Sequence, residues 1–134
     1  MSVDFESLKS NLAILDGWDR LGYLLDLSKM NEGIPDDLKN DESRIFGCVS
    51  TSFLVVDNIE PIIKIRTDSD STIVKGLLFI LTIFVNEKTK TEILEIDEKK
   101  LMEDIGMKNI ITSQRTNGFY ASILKLKEII KNVK

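Results

Sequence analysis

Histidine is absent from this 134-residue sequence, and cysteine occurs once, at Cys48. Without histidine, the chain cannot form the Ser-His-Asp or Cys-His groups that activate most catalytic serines and cysteines. A single cysteine cannot form an internal disulfide bond, and it cannot complete a zinc site of cysteine and histidine ligands. The composition therefore excludes several common enzyme classes and gives no indication of secretion.

The sequence also lacks a long apolar run. Its most apolar stretch, residues 73–85, contains Lys75, Gly76 and Thr82 and is shorter than the roughly 20 residues that span a bilayer. The first residues are acidic and show no charged-then-apolar leader pattern. The net charge of -4 disfavours nucleic acid and anionic membranes as partners. We therefore expect a single soluble domain over residues 1–134, located in the cytoplasm.

Apolar residues at spacings of three and four predict several helices. The predicted helices cover residues 4–15, 17–29, 71–85, 91–95 and 98–105, and the last one begins near Ser113. Buried faces of the first two helices are expected at Phe5, Leu8, Leu12 and Leu15, and at Trp18, Leu21 and Leu25. Because the break between these helices is short, we expect them to pack as a pair, with Ser2 as a cap of the first.

The helix predicted at residues 71–85 is apolar on nearly every side. A helix without a polar face is usually buried on several sides, so we expect it to be the central core helix, laid across a sheet. Gly76 weakens this helix and is therefore expected to allow a close approach by another backbone. Asp70 is its predicted N-cap.

Two β-branched segments, residues 53–56 and 62–67, flank a turn and predict a β-hairpin. In the second strand Ile63, Ile65 and Thr67 share the face expected to point inward. Residues 44–49 are a candidate for a short third strand. The predicted fold class is therefore α+β, with a small antiparallel sheet of about three strands and helices packed against it.

An acidic loop precedes this region, within residues 30–44. Its acidic cluster consists of Asp36, Asp37, Asp41 and Glu42. They match neither an EF-hand nor any other spacing that orients metal ligands, and the sequence contains no P-loop. We interpret them as the solvated side chains of a surface loop, and we expect no metal site.

Cys48 is the strongest candidate for a chemically reactive residue. Thiol exchange requires a thiolate and an accessible acceptor sulfur, and it needs no general base from the same chain. One thiol can therefore accept a sulfane sulfur and pass it to another thiol. A lone cysteine can equally be a small, buried apolar residue, and composition alone leaves that alternative open.

Four segments in order resemble the SufE family of sulfur acceptors over roughly residues 10–131. They are Ile34-Pro35, Gly47-Cys48-Val49-Ser50, the stretch from Asp68 to Leu77, and Ser113 with Arg115-Thr116-Asn117-Gly118. The family motif around the cysteine reads Gly-Cys-Gln-Ser, so Val49 departs from it. Thr51 and Phe53 also differ from the family pattern, which has glutamine and tryptophan in those places.

The resemblance implies that Cys48 carries sulfur as a persulfide in a fold similar to that of the cluster scaffold IscU. It also implies that Arg115 and Asp70 border Cys48, where Arg115 would stabilise the sulfur anion and Asp70 would hold the cysteine loop. The residues alone leave open that Asp70 is only a helix cap and Arg115 only a surface charge. The implied donor is a SufS-type cysteine desulfurase, which the chain would stimulate, and the implied recipient is a SufBCD-type cluster-assembly complex. Pyridoxal phosphate belongs to the desulfurase, so we expect no cofactor in this chain.

Two other functions remain open at this point. The chain could be a binding module that regulates a desulfurase without carrying sulfur, or a structural protein whose cysteine is inert. The oligomeric state is also open, a homodimer included.

Overall fold

The computed structural model describes residues 4–133, which form six α-helices and a two-stranded sheet. The helices are α1 Phe5–Ala13, α2 Gly17–Met30, α3 Thr72–Val85, α4 Lys90–Leu94, α5 Glu98–Asp104 and α6 Ser113–Lys131. The strands are β1 Ser52–Asn58 and β2 Lys64–Ser69, and one turn of 3-10 helix covers Asp36–Leu38. None of the helices within residues 4–133 is both long and apolar enough to cross a membrane.

The predicted cap of α1, Ser2, lies outside the described residues. Asp4 caps α1, because its side chain accepts a hydrogen bond from the Ser7 N–H at 2.8 Å. The acidic loop lies on the surface, and the four residues of its acidic cluster are exposed.

β1 and β2 form an antiparallel pair in which Leu54 faces Thr67 and Val56 faces Ile65. Ile63, Ile65 and Thr67 are buried, which confirms the predicted inward face of the second strand. The core of the protein lies between this sheet and the helices, with α3 at its centre.

The predicted third strand at residues 44–49 is wrong. Only one isolated bridge, between Arg44 and Phe53, joins this segment to β1. Gly47 follows with φ of 89°, a conformation that favours glycine and turns the chain out of a strand. The α+β class is correct, but the sheet has two strands rather than about three.

α3 is the central helix, as predicted, and it packs against α1, α2, α6 and β2. A Cβ atom at Gly76 would collide with the carbonyl oxygen of Leu24, so the close backbone approach expected at Gly76 is confirmed. α2 and α3 therefore meet almost backbone to backbone at this crossing.

The buried face predicted for α2 is wrong at two of its three positions. Trp18 is 85% exposed and Leu25 is 41% exposed, whereas Leu24 and Leu27 are buried. The side of α2 that faces inward is the one at the crossing of Leu24 with Gly76. Apolar spacing along α2 allowed two faces, and packing against α3 selected between them.

Asp70 is not the N-cap of α3. Ser71 takes this position, and its hydroxyl accepts the Val74 N–H at 3.3 Å. Asp70 lies one residue before the cap and is free to contact the loop that carries Cys48.

Candidate functional site

Cys48 lies on the loop between Arg44, which forms a bridge with Phe53, and the start of β1 at Ser52. Its side chain is half-buried. Gly47 turns the chain just before it. Across the loop, a Cβ atom at Gly118 of α6 would lie only 2.7 Å from the Cys48 Sγ. A glycine is therefore needed at position 118 for the thiol to occupy its place against α6.

A cavity of about 260 Å³ opens beside the Cys48 side chain. The loop, the start of α3 and the start of α6 contribute its other walls, which are Val49, Ser50, Ser71, Val74, Thr112, Gln114 and Arg115. The structure thus brings Cys48 and Arg115, which are distant in the sequence, to the same cavity.

The beginning of α6 gives this cavity a positive wall. Thr112 caps the helix, and its hydroxyl accepts the Arg115 N–H at 3.3 Å. Arg115 is partly buried in the first turn. The positive end of the dipole of a 19-residue helix and the guanidinium charge both favour an anion here.

Two serine hydroxyls contact the thiol, and a third, on Ser69, is hydrogen-bonded to both of them. The Cys48 Sγ lies 3.2 Å from the Ser50 Oγ and 3.5 Å from the Ser52 Oγ. Ser52 is completely buried and donates to the Ser69 Oγ at 2.8 Å. Ser50 and Ser69 each belong to one of the four motifs, although the sequence analysis gave neither of them a role, and Ser52 was not singled out. The serine content of two segments that become paired strands is the signal that could have indicated them.

Asp70 contacts the cysteine loop from the other side. Its carboxylate accepts the Thr51 N–H at 3.1 Å, and its own N–H donates to the Thr51 carbonyl at 3.1 Å. Its side chain lines a separate cavity with Lys39 and Phe53 rather than the one beside Cys48. Asp70 therefore contacts the loop at Thr51, three residues after Cys48. It does not line the cavity beside Cys48.

Asp68 is a buried anchor that the sequence analysis did not identify. Its carboxylate accepts N–H groups from Ile34 at 3.0 Å and from Ser69 at 2.8 Å. It also forms ion pairs with Lys39 at 3.0 Å and Lys75 at 3.3 Å. Burial raises the pKa of Asp68, but the donated hydrogen bonds and the two ammonium groups lower this pKa more, and the result lies below the ordinary value.

This anchor joins segments that the sequence presented separately. Ile34 belongs to the Ile-Pro segment, and Lys75 lies in the first turns of α3. Ser69, next to Asp68, donates a hydrogen bond to the Ser50 hydroxyl, which contacts the Cys48 sulfur. Asp68 therefore fixes the end of β2, from which both Ser69 and Asp70 reach the cysteine loop.

No group of three or more cysteine, aspartate or glutamate side chains within residues 4–133 is arranged to hold a metal ion.

A family model and two relatives of similar sequence indicate the same family. The family model described as "SufE: Fe-S metabolism associated domain" matches residues 6–130. An uncharacterized SufE-like protein of Rhizobium etli is 29% identical, over 96% of this chain and 90% of its own length. An uncharacterized SufE-like protein of Rhizobium meliloti is 31% identical, over 93% of both chains.

A similar fold is found in the solution structure of a hypothetical protein from Thermus thermophilus, with a TM-score of 0.77. The superposition covers 95% of this chain and 93% of that one, at 16% sequence identity, so it bears on the fold alone. Together with the match of the family model over residues 6–130, the two relatives place the chain in the SufE family, which is associated with iron–sulfur metabolism.

Proposed function

We propose that this protein is a sulfur acceptor and carrier that works with a SufS-type cysteine desulfurase. The Cys48 thiolate attacks the outer sulfur of a cysteine persulfide on the desulfurase. A sulfur–sulfur bond to Cys48 forms while the donor's sulfur–sulfur bond breaks, and the donor cysteine leaves as a thiolate with the bonding electrons. The proton stays on the transferred sulfur, and the exchange involves no net oxidation or reduction because one sulfur–sulfur bond forms as another breaks.

The second step repeats the same chemistry in the forward direction. A thiolate on the recipient, for which a SufBCD-type cluster-assembly complex is the candidate, attacks the outer sulfur of the Cys48 persulfide. Cys48 leaves as a thiolate and is ready for another cycle. Because this transfer removes the persulfide from the desulfurase, we expect it to stimulate that enzyme.

The placement of Cys48 is the observation that carries this proposal. The thiol is half-buried at a cavity of about 260 Å³, so a small sulfur group has room beside it while the loop and α6 shield it. A carrier needs both features, because a persulfide must meet its partners and avoid other thiols in solution.

Arg115 and Asp70 have supporting roles in this proposal. Arg115 and the first turn of α6 stabilise the anionic sulfur, since both bring positive potential to the cavity. Asp70 is a negative group and so would not favour an anion. Its paired contacts with Thr51 support a role in holding the loop that carries Cys48.

Mass spectrometry after incubation with a SufS-type desulfurase and free cysteine tests the proposal. We expect a gain of about 32 Da, one sulfur atom, on the peptide that contains Cys48. We also expect faster alanine release by the desulfurase with the wild-type protein and no stimulation by Cys48→Ser. Ser10→Ala, on the exposed surface of α1, is the matched control and should behave as wild type.

Two results would contradict sulfur transfer. Equal stimulation by Cys48→Ser would indicate a regulator that carries no sulfur. A folded protein that gains no sulfur and whose thiol resists alkylation, even with the desulfurase present, would indicate an inert cysteine.

A further inference from the structure

The hydroxyls of Ser50, Ser52 and Ser69 form a closed ring of hydrogen-bonding distances, and the first two contact the Cys48 sulfur. Ser50 and Ser52 are 3.0 Å apart, Ser52 and Ser69 are 2.8 Å apart, and Ser69 and Ser50 are 3.3 Å apart. Each serine hydroxyl has one proton to donate and two lone pairs that accept. The directions of these hydrogen bonds therefore decide which hydroxyl has a proton to offer the sulfur.

Two of the three protons are used inside the ring. Ser52 donates to Ser69, and Ser69 donates to Ser50. The Ser71 N–H also donates to the Ser69 Oγ at 3.1 Å, so Ser69 already accepts two hydrogen bonds. With both of its lone pairs engaged, Ser69 can only pass its proton onward to Ser50.

The Ser50 proton then has two acceptors within reach among the described residues. One is the Ser52 Oγ at 3.0 Å, and the other is the Cys48 Sγ at 3.2 Å. A neutral thiol accepts hydrogen bonds weakly, whereas hydrogen bonds to a charged acceptor are roughly twice as strong as neutral ones. The proton should therefore turn from Ser52 to the sulfur when Cys48 becomes an anion.

We infer that Ser50 is the hydroxyl that stabilises the anionic sulfur of Cys48, and that Ser52 is not, although both lie within contact of the sulfur. This inference rests on the proposed function, because the anion concerned is the attacking thiolate of the sulfur exchange. Ser52 competes with the sulfur for the Ser50 proton. Ser69 only sets the direction of the hydrogen bonds around the ring.

Alkylation of the single cysteine by iodoacetamide tests this inference without any desulfurase. Iodoacetamide is neutral and reacts with the thiolate, so its rate at about pH 7 follows the ionised fraction. We expect Ser50→Ala to lower this rate about tenfold, the effect of one charge-assisted hydrogen bond. At about pH 10, where cysteine thiols are largely ionised, the rate should match that of the wild type.

The other variants make the test specific. Ser52→Ala should keep the wild-type rate at about pH 7 or exceed it by about twofold, because the competing acceptor is gone. Ser50→Thr, which retains the hydroxyl, should restore most of the lost rate, and Ser10→Ala is the surface control. Thermal unfolding of each variant verifies that it is folded.

Three outcomes would overturn the inference. They are a wild-type rate for Ser50→Ala at about pH 7, an equal loss for Ser52→Ala, and a loss for Ser50→Ala that persists at about pH 10. The last outcome would mean that Ser50 controls access rather than ionisation. Each leaves the sulfur-transfer proposal standing, since that proposal depends on the adduct at Cys48.

Discussion

At the scale of single residues, the space for the thiol is set from the opposite side of the site. Gly118 lies on α6, 70 positions along the chain from Cys48, and any side chain there would enter the volume of the Sγ atom. Its role is to leave that volume to the sulfur of Cys48. Residues that contribute no functional group can thus be as specific to a site as those that react.

Gly118→Ala should therefore impair sulfur transfer more than folding. The new methyl group displaces the sulfur, and a misplacement of about 1 Å can lower a rate by as much as about 100-fold. We expect the persulfide adduct to form at least about tenfold more slowly. The free energy of unfolding should fall by no more than about 2 kcal/mol, because the higher helix propensity of alanine offsets part of the overpacking cost.

The matched control for this change is Gly22→Ala on α2. A Cβ at Gly22 meets open space in the described structure, so adduct formation should be unchanged and stability should rise by up to about 1 kcal/mol. Adduct formation is followed by mass spectrometry and stability by urea unfolding. Wild-type transfer by Gly118→Ala would show that the close contact with Gly118 is not needed.

At the scale of elements, Asp68 connects the loop after α2, the end of β2 and the start of α3. Lys39 and Lys75 reach it from the loop and the helix, and Ile34 donates a backbone N–H. Because folding lowers the pKa of Asp68, its carboxylate stabilises the folded state above about pH 4. This stabilisation is lost as the pH falls through the lower pKa of the folded state.

We expect Asp68→Asn to reduce the free energy of unfolding by about 2 kcal/mol at neutral pH, since both lysines lose a buried partner. The difference from wild type should shrink as the pH falls below about 4, because the wild-type carboxylate is then protonated as well. Urea unfolding at neutral and acidic pH measures both effects.

Asp36→Asn provides the control for this prediction. The Asp36 carboxylate also contacts Lys39, at 3.4 Å, but its side chain is 99% exposed. An exposed ion pair contributes little, so the cost should stay below about 0.5 kcal/mol. A loss for Asp68→Asn that does not vary with pH would contradict the proposed electrostatic role of Asp68.

At the scale of the whole molecule, the site exists only where three parts of the chain meet. The cysteine loop, the start of α3 and the start of α6 enclose a cavity of about 260 Å³, and the core places them around it. Access to the thiol is therefore a property of the folded protein, and it should depend on the size of the reagent.

We expect native Cys48 to react with iodoacetamide but to react poorly with a maleimide attached to a bulky polymer. The rate with iodoacetamide divided by the rate with the bulky maleimide should be at least about tenfold larger in the native protein than in urea, where no fold restricts access. Cysteine modification by mass spectrometry measures both reactions. A native thiol inert to the small reagent would support a structural cysteine, and equal ratios would show that the fold gives no shelter.

Most elements could be predicted from the sequence because their signals are local. The apolar spacing of a helix and the β-branched runs of a hairpin depend on neighbouring residues, and α3, α6 and the β1–β2 pair were recognised in this way. The family, too, could be recognised from four short motifs, one of which contains Cys48.

Local signals failed where two arrangements satisfied the same pattern. Trp18 and Leu25 are apolar and helically spaced, yet they face solvent because α3 approaches α2 at Leu24. Asp70 and Ser71 are both good caps, and only Ser71 is used, since Asp70 contacts Thr51. Gly47 ended the pairing expected of the segment before it.

The sequence by itself determined the element types, the α+β class and the position of the one cysteine sulfur, because these depend on composition and on short-range order. Only the tertiary structure decided what surrounds that sulfur. Gly118, Arg115 and Ser69 are 70, 67 and 21 positions from Cys48. Packing of the common core places Gly118 against the sulfur, Arg115 at the same cavity and Ser69 within hydrogen-bonding distance of Ser50. Contacts across such separations arise from packing, which no local pattern encodes.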